Sequence, residues 1–269
     1  MEIIKSLILG LIQGLTEFLP VSSSGHLVLA QYFFGIEETG IAIEVVLHLG
    51  TLAAVVIFFF KDIVRLFSAV PYLFSQKGGE EKQGDKRVIW MLIVASIPTA
   101  IMGFLLEDFF EGLFATPVVV PFTLLITAGL MLWANKLLHG RRPLSRMRPV
   151  QALWIGLFQG LAIMPGISRS GSTIFASLIQ GFEREEAARF SFLLSIPAIL
   201  GATLFKFDEI RELSASYAMP LLVGFLAAVV SGYIAIQFLL ALIRRKKLYV
   251  FSIYCAVIAV ISLIAYHFA

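Results

Sequence analysis

Charged residues and cysteines are scarce in this chain of 269 residues. Only 14% of the residues are Asp, Glu, Lys or Arg, whereas 59% are hydrophobic and the mean hydropathy is +0.91. This composition excludes a water-soluble domain and indicates a polytopic helical membrane protein, which is an all-α fold class. The one cysteine, Cys255, lies in an apolar segment, so neither a disulfide framework nor a thiolate metal cluster is expected. The sequence also lacks a Walker loop, an HExxH zinc motif and a dinucleotide-binding fingerprint.

Residues 10–26 interrupt an apolar segment with polar and ionisable side chains. Gln13 and Glu17 are four residues apart, so a helix places both on one face. An ionisable residue at bilayer depth is costly and is therefore a candidate for function. Glu17 could ligate a hard cation through oxygen or hold and move a proton. The structural alternative is a buried polar pair that braces a bend in the helix.

A proline and three serines follow Glu17 within seven residues. Pro20 ends the first helix, and the SSSG run at residues 22–25 has the composition of an N-cap that opens a second short helix. Free amides and hydroxyls at such a helix N-terminus suit a phosphate. His26 adds an imidazole that can act as nucleophile or general base. Without Glu17 nearby, a capped turn with a hydrated histidine would explain these residues equally well.

The same pattern returns 146 residues later, with residue 156 in the place of residue 10. GLFQGL at residues 156–161 repeats GLIQGL at 10–15, and ISRSG at 167–171 repeats VSSSG at 21–25. Three functional positions differ between the copies, since Glu17, Ser23 and His26 become Ile163, Arg169 and Ser172. One copy therefore offers a carboxylate and an imidazole, and the other a guanidinium. This asymmetry predicts one composite site built from both copies.

The segment PGISRSGST at residues 165–173 is the most specific of the chain. An arginine between serines, in a glycine-rich turn that opens a helix, is typical of a phosphate site, because a guanidinium fork matches phosphate oxygens. The structural alternative is an internal ion pair between Arg169 and Glu17. Both interpretations place these two side chains close together. Glu44 and His48 also face one way on a helix, and we expect them to support the site or line a cavity.

Hydropathy predicts six membrane spans, at residues 41–60, 88–106, 117–138, 187–206, 218–243 and 249–267. Two pairs of shorter segments precede the first and fourth spans, at 3–19 and 26–36 and at 151–164 and 172–181. The intervening residues 61–87, 107–116 and 207–217 are predicted loops, and 139–149 is a basic linker. No small-residue cleavage site precedes Pro20, so we expect the N-terminal segment to be retained.

Loop charges predict the orientation of these spans. Residues 61–87 contain six Lys or Arg and the linker contains four Arg, which places both inside by the positive-inside rule. The spans then alternate without conflict when residues 1–40 form a re-entrant hairpin that enters from outside and 150–186 one that enters from inside. We therefore predict a single membrane domain, 1–269, made of two inverted repeats, 1–138 and 150–269. The alternative is that each hairpin spans the membrane twice.

Two motifs are similar to those of the undecaprenyl-diphosphate phosphatase family, the bacitracin-resistance family of bacterial membrane phosphatases. The family's (E/Q)xxxE motif reads QGLTE at residues 13–17, and its PGxSRSxxT motif reads PGISRSGST at residues 165–173. His26 stands at the position of the family histidine, and the similarity extends over essentially the whole chain. Gln13 occupies the first position of the first motif, which leaves Glu17 as the only carboxylate of that pair.

The resemblance implies an integral membrane phosphatase in the bacterial inner (plasma) membrane, with its active site facing outside. It would convert undecaprenyl diphosphate to the monophosphate carrier used in peptidoglycan synthesis, with Mg²⁺ or Ca²⁺, and so give bacitracin resistance. The implied catalytic residues are Glu17, Ser23, His26 and Arg169, and the implied metal ligands are Glu17 and Gln13. The implied substrate-binding residues lie at the two motif turns or beside Glu17: Gln13, Ser22, Ser24, Gly166, Ser168, Ser170 and Thr173. Whether Ser23, His26 or water attacks stays open, as does a homodimer.

Two other functions fit part of the pattern. Inverted repeats with broken helices are transporter architecture, so the protein could be a proton-coupled transporter or a flippase of a phosphorylated lipid. A structural scaffold would leave Glu17 and Arg169 unexplained. The unlike half-sites, with a carboxylate and imidazole facing a guanidinium, favour chemistry over transport.

Overall fold

The computed structural model describes residues 2–34, 40–75, 79–137, 139–206 and 217–268. The α-helices in these ranges, in chain order, are α1 Glu2–Phe18, α2 Ser23–Phe34, α3 Gly40–Phe58, α4 Phe60–Phe67, α5 Glu80–Leu105, α6 Glu107–Phe114, α7 Val119–Lys136, α8 Pro149–Leu161, α9 Arg169–Ile179, α10 Arg184–Phe205, α11 Ala218–Arg244 and α12 Tyr249–Phe268. Short 3₁₀ helices occupy Val70–Tyr72 and Leu144–Arg146. Within the described ranges no strand forms beyond one isolated bridge between Arg142 and Phe182, which confirms the all-α fold class.

Among the described residues, five helices are long and apolar enough to cross a membrane: α5, α7, α10, α11 and α12. The bent pair Ile43–Phe58 and Phe60–Tyr72, whose axes differ by 78°, forms either a broken sixth span or a re-entrant segment. The five long helices coincide with five of the predicted spans, the bent pair overlaps the sixth at residues 41–60, and the chain is a multi-pass membrane protein. The shorter helices of the two predicted hairpins, α1 with α2 and α8 with α9, are not among the long spans.

Two predicted loops are wrong. Residues 61–87 contain α4 and the first turns of α5, and residues 107–116 contain α6. Their charges do not break the helices, since Glu80 and Glu81 lie in the first turn of α5, where carboxylates favour the helix dipole. Charged residues mark the point where a helix leaves the apolar layer, but the helix itself can continue beyond that point. Of the third predicted loop, 207–217, residues 207–216 lie outside the described residues.

Each hairpin reverses direction at one residue with a positive φ. In the first hairpin this residue is Ser22, with φ 70°, and in the second it is Gly166, with φ 89°. A Cβ at Gly166 would also collide with the Thr123 hydroxyl, so glycine is required there for both backbone and space. The two turns therefore reverse the chain at different positions of the repeated motif.

Each hairpin packs against a long span of the other half of the chain. Helix α1 packs mainly on α11, and α8 packs mainly on α5. The equivalent glycines Gly10 and Gly156 permit both approaches, because a Cβ at either would collide with a backbone carbonyl oxygen, of Gly224 and Ala95 respectively. The two halves are thus interlocked. Their inverted orientation in the membrane, and the domain boundaries based on it, stay predictions.

Because α8 approaches α5 closely, one added methyl group at their contact should destabilise the protein. Gly156→Ala should lower the free energy of unfolding by about 1–3 kcal/mol, because α5 must move away. Gly129→Ala is the matched control, since position 129 is exposed on α7 and its Cβ would have no neighbour within 4 Å. The control should leave stability unchanged or raise it by up to about 1 kcal/mol. Thermal unfolding in detergent measures both, and equal melting temperatures for the two variants would contradict the account.

Candidate active site

Glu17 lies where the two hairpins meet, near the C-terminus of α1, and its residue is 7% exposed. Its Oε2 accepts hydrogen bonds from Gln13 Nε2 at 2.8 Å and from Ser23 Oγ at 2.6 Å. Its Oε1 accepts one from Arg169 Nη2 at 2.7 Å. The structure thereby confirms that Gln13 and Glu17 share a helix face and that Arg169 lies beside Glu17. Three of the four catalytic candidates are joined through one carboxylate.

Arg169 begins α9 and connects three helices. Beyond its bond to Glu17 on α1, its Nη1 donates to the Ser191 carbonyl of α10 at 3.2 Å. The guanidinium side chain is 15% exposed and the Glu17 side chain 6%. In such a buried pair each charge compensates the other, and removal of one leaves the second without its counterion. One edge of this site is therefore held in place by opposite charges.

Helix α7 holds the second motif turn through two threonines. Thr127 Oγ1 donates to the Gly166 carbonyl at 2.8 Å and accepts from the Ser168 amide at 3.1 Å. Thr123 Oγ1 donates to the Pro165 carbonyl at 2.6 Å. Because the turn's backbone polar groups are bonded in this way, the first residue of α9 is fixed in position.

The hydroxyls predicted to hold phosphate oxygens are engaged with protein groups. Ser168 is the N-cap of α9 and accepts from the Gly171 amide at 3.1 Å. Ser170 Oγ donates to the Leu19 carbonyl at 3.1 Å, which ties the second hairpin to the first. Thr173 Oγ1 bonds to the Arg169 carbonyl at 2.9 Å and lies 2.6 Å from Ser191 Oγ. These contacts order the turn around Arg169, and a direct role in substrate binding stays a prediction.

His26 lies on α2, one helical turn after Ser23. Its Nδ1 is 2.7 Å from the Ser22 carbonyl oxygen, and its Nε2 is 2.9 Å from Tyr254 Oη. Because a carbonyl oxygen only accepts, these partners assign the proton to Nδ1, and Nε2 accepts from the tyrosine. Both ring nitrogens thus have partners other than Glu17. Since Ser23 and His26 are three residues apart on α2, they share a helix face.

The remaining two predicted serines shape the first turn. Ser22 Oγ accepts from the Gly25 amide at 3.2 Å and lies 3.3 Å from Ser24 Oγ. Ser22 is 3% exposed, whereas Ser23 and Ser24 are half-buried. Among the predicted site residues of this turn, Ser23 is the one whose hydroxyl meets the carboxylate.

Two residues that complete the site were not predicted from the sequence, and a third, His48, was expected to support the site or line a cavity. Tyr254 Oη, on α12, bonds to His26. Ser191, on α10, accepts from Arg169 through its backbone carbonyl and bonds to Thr173 through its hydroxyl. His48 Nε2 lies 3.7 Å from Glu17 Oε2, a place that its helical spacing from Glu44 did not specify. No motif marks Tyr254 or Ser191, because their contacts depend on which distant helices pack together.

The metal ligands predicted at Gln13 and Glu17 can be compared with the donor atoms available. No group of three or more His, Cys, Asp or Glu converges in the part of the chain that the structure describes. However, Gln13 is 0% exposed and its Oε1 has no hydrogen-bond partner. This unpaired oxygen beside a carboxylate fits a hard cation that takes its other ligands from substrate and water.

Comparison with known proteins gives a consistent family match. The family model described as "Bacitracin resistance protein BacA" matches residues 6–261. A protein of Halothermothrix orenii named undecaprenyl-diphosphatase is 45% identical over 267 residues, which cover 98% of both chains. A protein of Methanosphaera stadtmanae with the same name is 43% identical over 272 residues, again covering 98% of both.

The ion pair between Glu17 and Arg169 should appear as a coupling in unfolding experiments. We expect Arg169→Met to destabilise the protein by about 3–5 kcal/mol, because it leaves a buried carboxylate without its counterion. Glu17→Gln together with Arg169→Met should cost less than the sum of the two single changes, by about 1 kcal/mol or more. The cycle is measured by thermal unfolding in detergent.

The exposed ion pair between Glu185 and Arg244, 3.1 Å apart, is the matched control. Its double-mutant cycle should give a coupling below about 0.5 kcal/mol, because water screens both charges. Strict additivity at Glu17 and Arg169 would show that their contact does not hold the hairpins together.

Proposed function

The chain belongs to the bacitracin resistance protein BacA family, and on that premise we propose that it is an undecaprenyl-diphosphate phosphatase. It hydrolyses undecaprenyl diphosphate in the membrane to undecaprenyl phosphate and inorganic phosphate. The observation that carries the proposal is the 2.7 Å contact between Glu17 and Arg169, which brings an acid–base group and a phosphate-binding group together from the two hairpins. The long apolar helices suit a substrate that is itself a lipid.

Arg169 binds and stabilises the phosphoryl group in this proposal. Its guanidinium fork matches two phosphate oxygens, and the amides at the start of α9 add further donors. As the terminal phosphate is transferred, negative charge spreads over its oxygens, and a fixed guanidinium stabilises that charge without reorganisation. Ser168, Ser170 and Thr173 hold the backbone and neighbours of Arg169 in place through the contacts described above.

Glu17 and His26 accept the protons that the reaction releases from the nucleophile. The Ser23 hydroxyl already donates to Glu17 at 2.6 Å, so Glu17 is placed to take a proton from Ser23 or from a water in its position. When water is the nucleophile, it forms the new P–O bond, the bond to the bridging oxygen breaks, and undecaprenyl phosphate leaves with the electron pair. His26 Nε2, the unprotonated ring nitrogen, accepts from Tyr254 Oη at 2.9 Å and becomes a second proton acceptor when that bond is released.

A divalent cation fits beside these groups. Gln13, through its unpaired Oε1, and Glu17 would hold Mg²⁺ or Ca²⁺. When bound, such an ion polarises phosphate oxygens as a Lewis acid and neutralises part of the diphosphate charge.

The proposed cellular role is the recycling of the lipid carrier for peptidoglycan synthesis, which gives resistance to bacitracin. The protein would lie in the inner (plasma) membrane of the cell with its active site outside. The basic residues of 61–87 and 139–149 support this orientation, because they assign these segments to the inside and the first hairpin to the outside.

Phosphate release from undecaprenyl diphosphate by the purified protein in detergent tests the function. Wild type should release phosphate, and Glu17→Gln, His26→Ala and Arg169→Ala should each lower the rate by roughly 10²- to 10⁴-fold. Arg245→Ala, an exposed arginine beyond α11, is the control and should retain the wild-type rate. If wild type releases nothing from several prenyl diphosphates, the phosphatase proposal fails. A liposome assay of lipid flipping with the same proteins then tests the transport alternative.

Metal dependence gives a separate prediction. EDTA should abolish phosphate release, and Mg²⁺ or Ca²⁺ should restore it. Gln13→Ala should raise the metal concentration needed for half-maximal activity by roughly tenfold or more, because it removes the unpaired oxygen beside Glu17. The measurement is a metal titration of the EDTA-treated enzyme. Full activity in EDTA, or an unchanged titration curve for Gln13→Ala, would exclude a metal at this place.

A further inference from the structure

Tyr254 contacts His26 through both its ring and its hydroxyl. The two rings stack, with centroids 5.6 Å apart and planes inclined by 10°, and Tyr254 Oη lies 2.9 Å from His26 Nε2. The other ring nitrogen, Nδ1, lies 2.7 Å from the Ser22 carbonyl oxygen. The imidazole is thus held at both of its nitrogens and also packs against an aromatic ring.

Helix α12 packs beside the first hairpin and so brings Tyr254 to His26. Cys255 Sγ lies 3.7 Å from the Pro20 carbonyl oxygen. The buried face of α12 includes residues 251, 255 and 259, which recur at intervals of four. Tyr254 lies at the border of this face, and 40% of the residue is exposed. Its neighbours therefore fix the helix, while its own side chain has room to follow the imidazole.

Both hydrogen-bond partners of the ring suit the imidazole before and after it accepts a proton. In the neutral ring, Nδ1–H donates to the Ser22 carbonyl and Nε2 accepts from the Tyr254 hydroxyl. Once Nε2 takes a proton in the reaction, both ring nitrogens are donors. The carbonyl still accepts, and the hydroxyl can turn and accept as well, because its oxygen has lone pairs. An amide N–H or a carbonyl in place of the hydroxyl would serve only one of the two states.

We propose that Tyr254 is a positioning residue that keeps the His26 ring in one orientation while His26 accepts a proton. This inference rests on the proposed function for its kinetic consequence. Nε2 has one lone pair, so the hydroxyl must release it before the proton of the nucleophile arrives, and the hydroxyl can accept from the new N–H afterwards. The stacked rings hold the imidazole while this bond is exchanged. Tyr254 acts through His26 and does not contact the substrate.

A phenylalanine at position 254 separates the effect of the hydroxyl from that of the ring. Tyr254→Phe keeps the stacked ring and removes the hydrogen bond. We expect kcat for phosphate release to fall roughly 10-fold, with KM changed less than about threefold, because a displaced base takes up the proton less efficiently. Tyr249→Phe is the matched control, since Tyr249 lies on the same helix and is also 40% exposed. This control should retain the wild-type kcat.

A double-mutant cycle with His26 distinguishes positioning of the base from a general contribution to the structure. If Tyr254 acts through His26, Tyr254→Phe should cause no further loss of kcat in the His26→Ala background. An equal fold loss in both backgrounds would overturn the inference. A wild-type kcat in Tyr254→Phe, or in His26→Ala, would overturn it as well.

Chemical modification of His26 tests the same contact without substrate. Diethyl pyrocarbonate acylates an unprotonated imidazole nitrogen, and the Tyr254 hydroxyl occupies Nε2 of His26. In Tyr254→Phe the modification rate of His26, measured by mass spectrometry relative to exposed His267, should rise roughly fivefold, the equivalent of one hydrogen bond. Tyr249→Phe should leave this ratio unchanged.

The melting temperature shows whether the modification rate reports the hydrogen bond or a loosened fold. Tyr254→Phe should melt within about 2 °C of wild type, because the ring contact is kept. An unchanged modification ratio in Tyr254→Phe would overturn the inference, as would a rise that accompanies a fall in melting temperature of about 5 °C or more. If wild type releases no phosphate, the proposed function fails, and the modification rate alone decides whether Tyr254 holds His26.

Discussion

The carboxylate of Glu17 inside an apolar protein is the constraint on which the site depends. A lone carboxylate at this depth is costly, and here Arg169, Gln13 and Ser23 all donate to it. Arg169 comes from the second hairpin, so compensating this one charge also joins the two halves of the chain. Much of the local structure around Arg169 serves to hold this residue beside Glu17. The threonines of α7 fix the turn before Arg169, and Ser170 ties that turn to Leu19. The side chains proposed for catalysis are thus held in place by the same hydrogen bonds and ion pair that stabilise the buried charge of Glu17.

The duplication explains why one site results rather than two. Each copy contributes a glycine-lined helix that packs on a long span of the other half, through Gly10 and Gly156. The interlocked halves bring the two motif turns together. Because the copies have diverged, with Ile163 in the place of Glu17 and Arg169 in the place of Ser23, the paired turns present a carboxylate to a guanidinium. Two copies of the first motif would instead place a serine opposite Glu17, and two copies of the second would place an isoleucine opposite Arg169, so that either charge would lack its counterion.

The site could be predicted from sequence where local spacing determines it. The four-residue interval between Gln13 and Glu17 predicts their shared face, and the repeat predicts that Arg169 lies beside Glu17; the structure confirms both. Contacts that depend on packing between distant helices were not predictable, as Tyr254 on His26 and Ser191 on Arg169 show. Charge was also misleading around Glu80 and Glu107, where helices continue or begin among acidic residues. Hydropathy locates the apolar layer, but helix ends depend on backbone hydrogen bonds, which charged side chains outside that layer do not interrupt.

The central claim is that Glu17 and Arg169 act together in catalysis and are not only a structural pair. The most direct measurement is phosphate release from undecaprenyl diphosphate by the double variant Glu17→Gln, Arg169→Met, in a preparation whose thermal unfolding shows it to be folded. Both charges are absent there, so no unpaired charge remains to distort the fold. The account predicts a folded protein whose release is lower than that of wild type by roughly 10²-fold or more. A folded double variant that releases phosphate at the wild-type rate would contradict it and leave the pair a purely structural role.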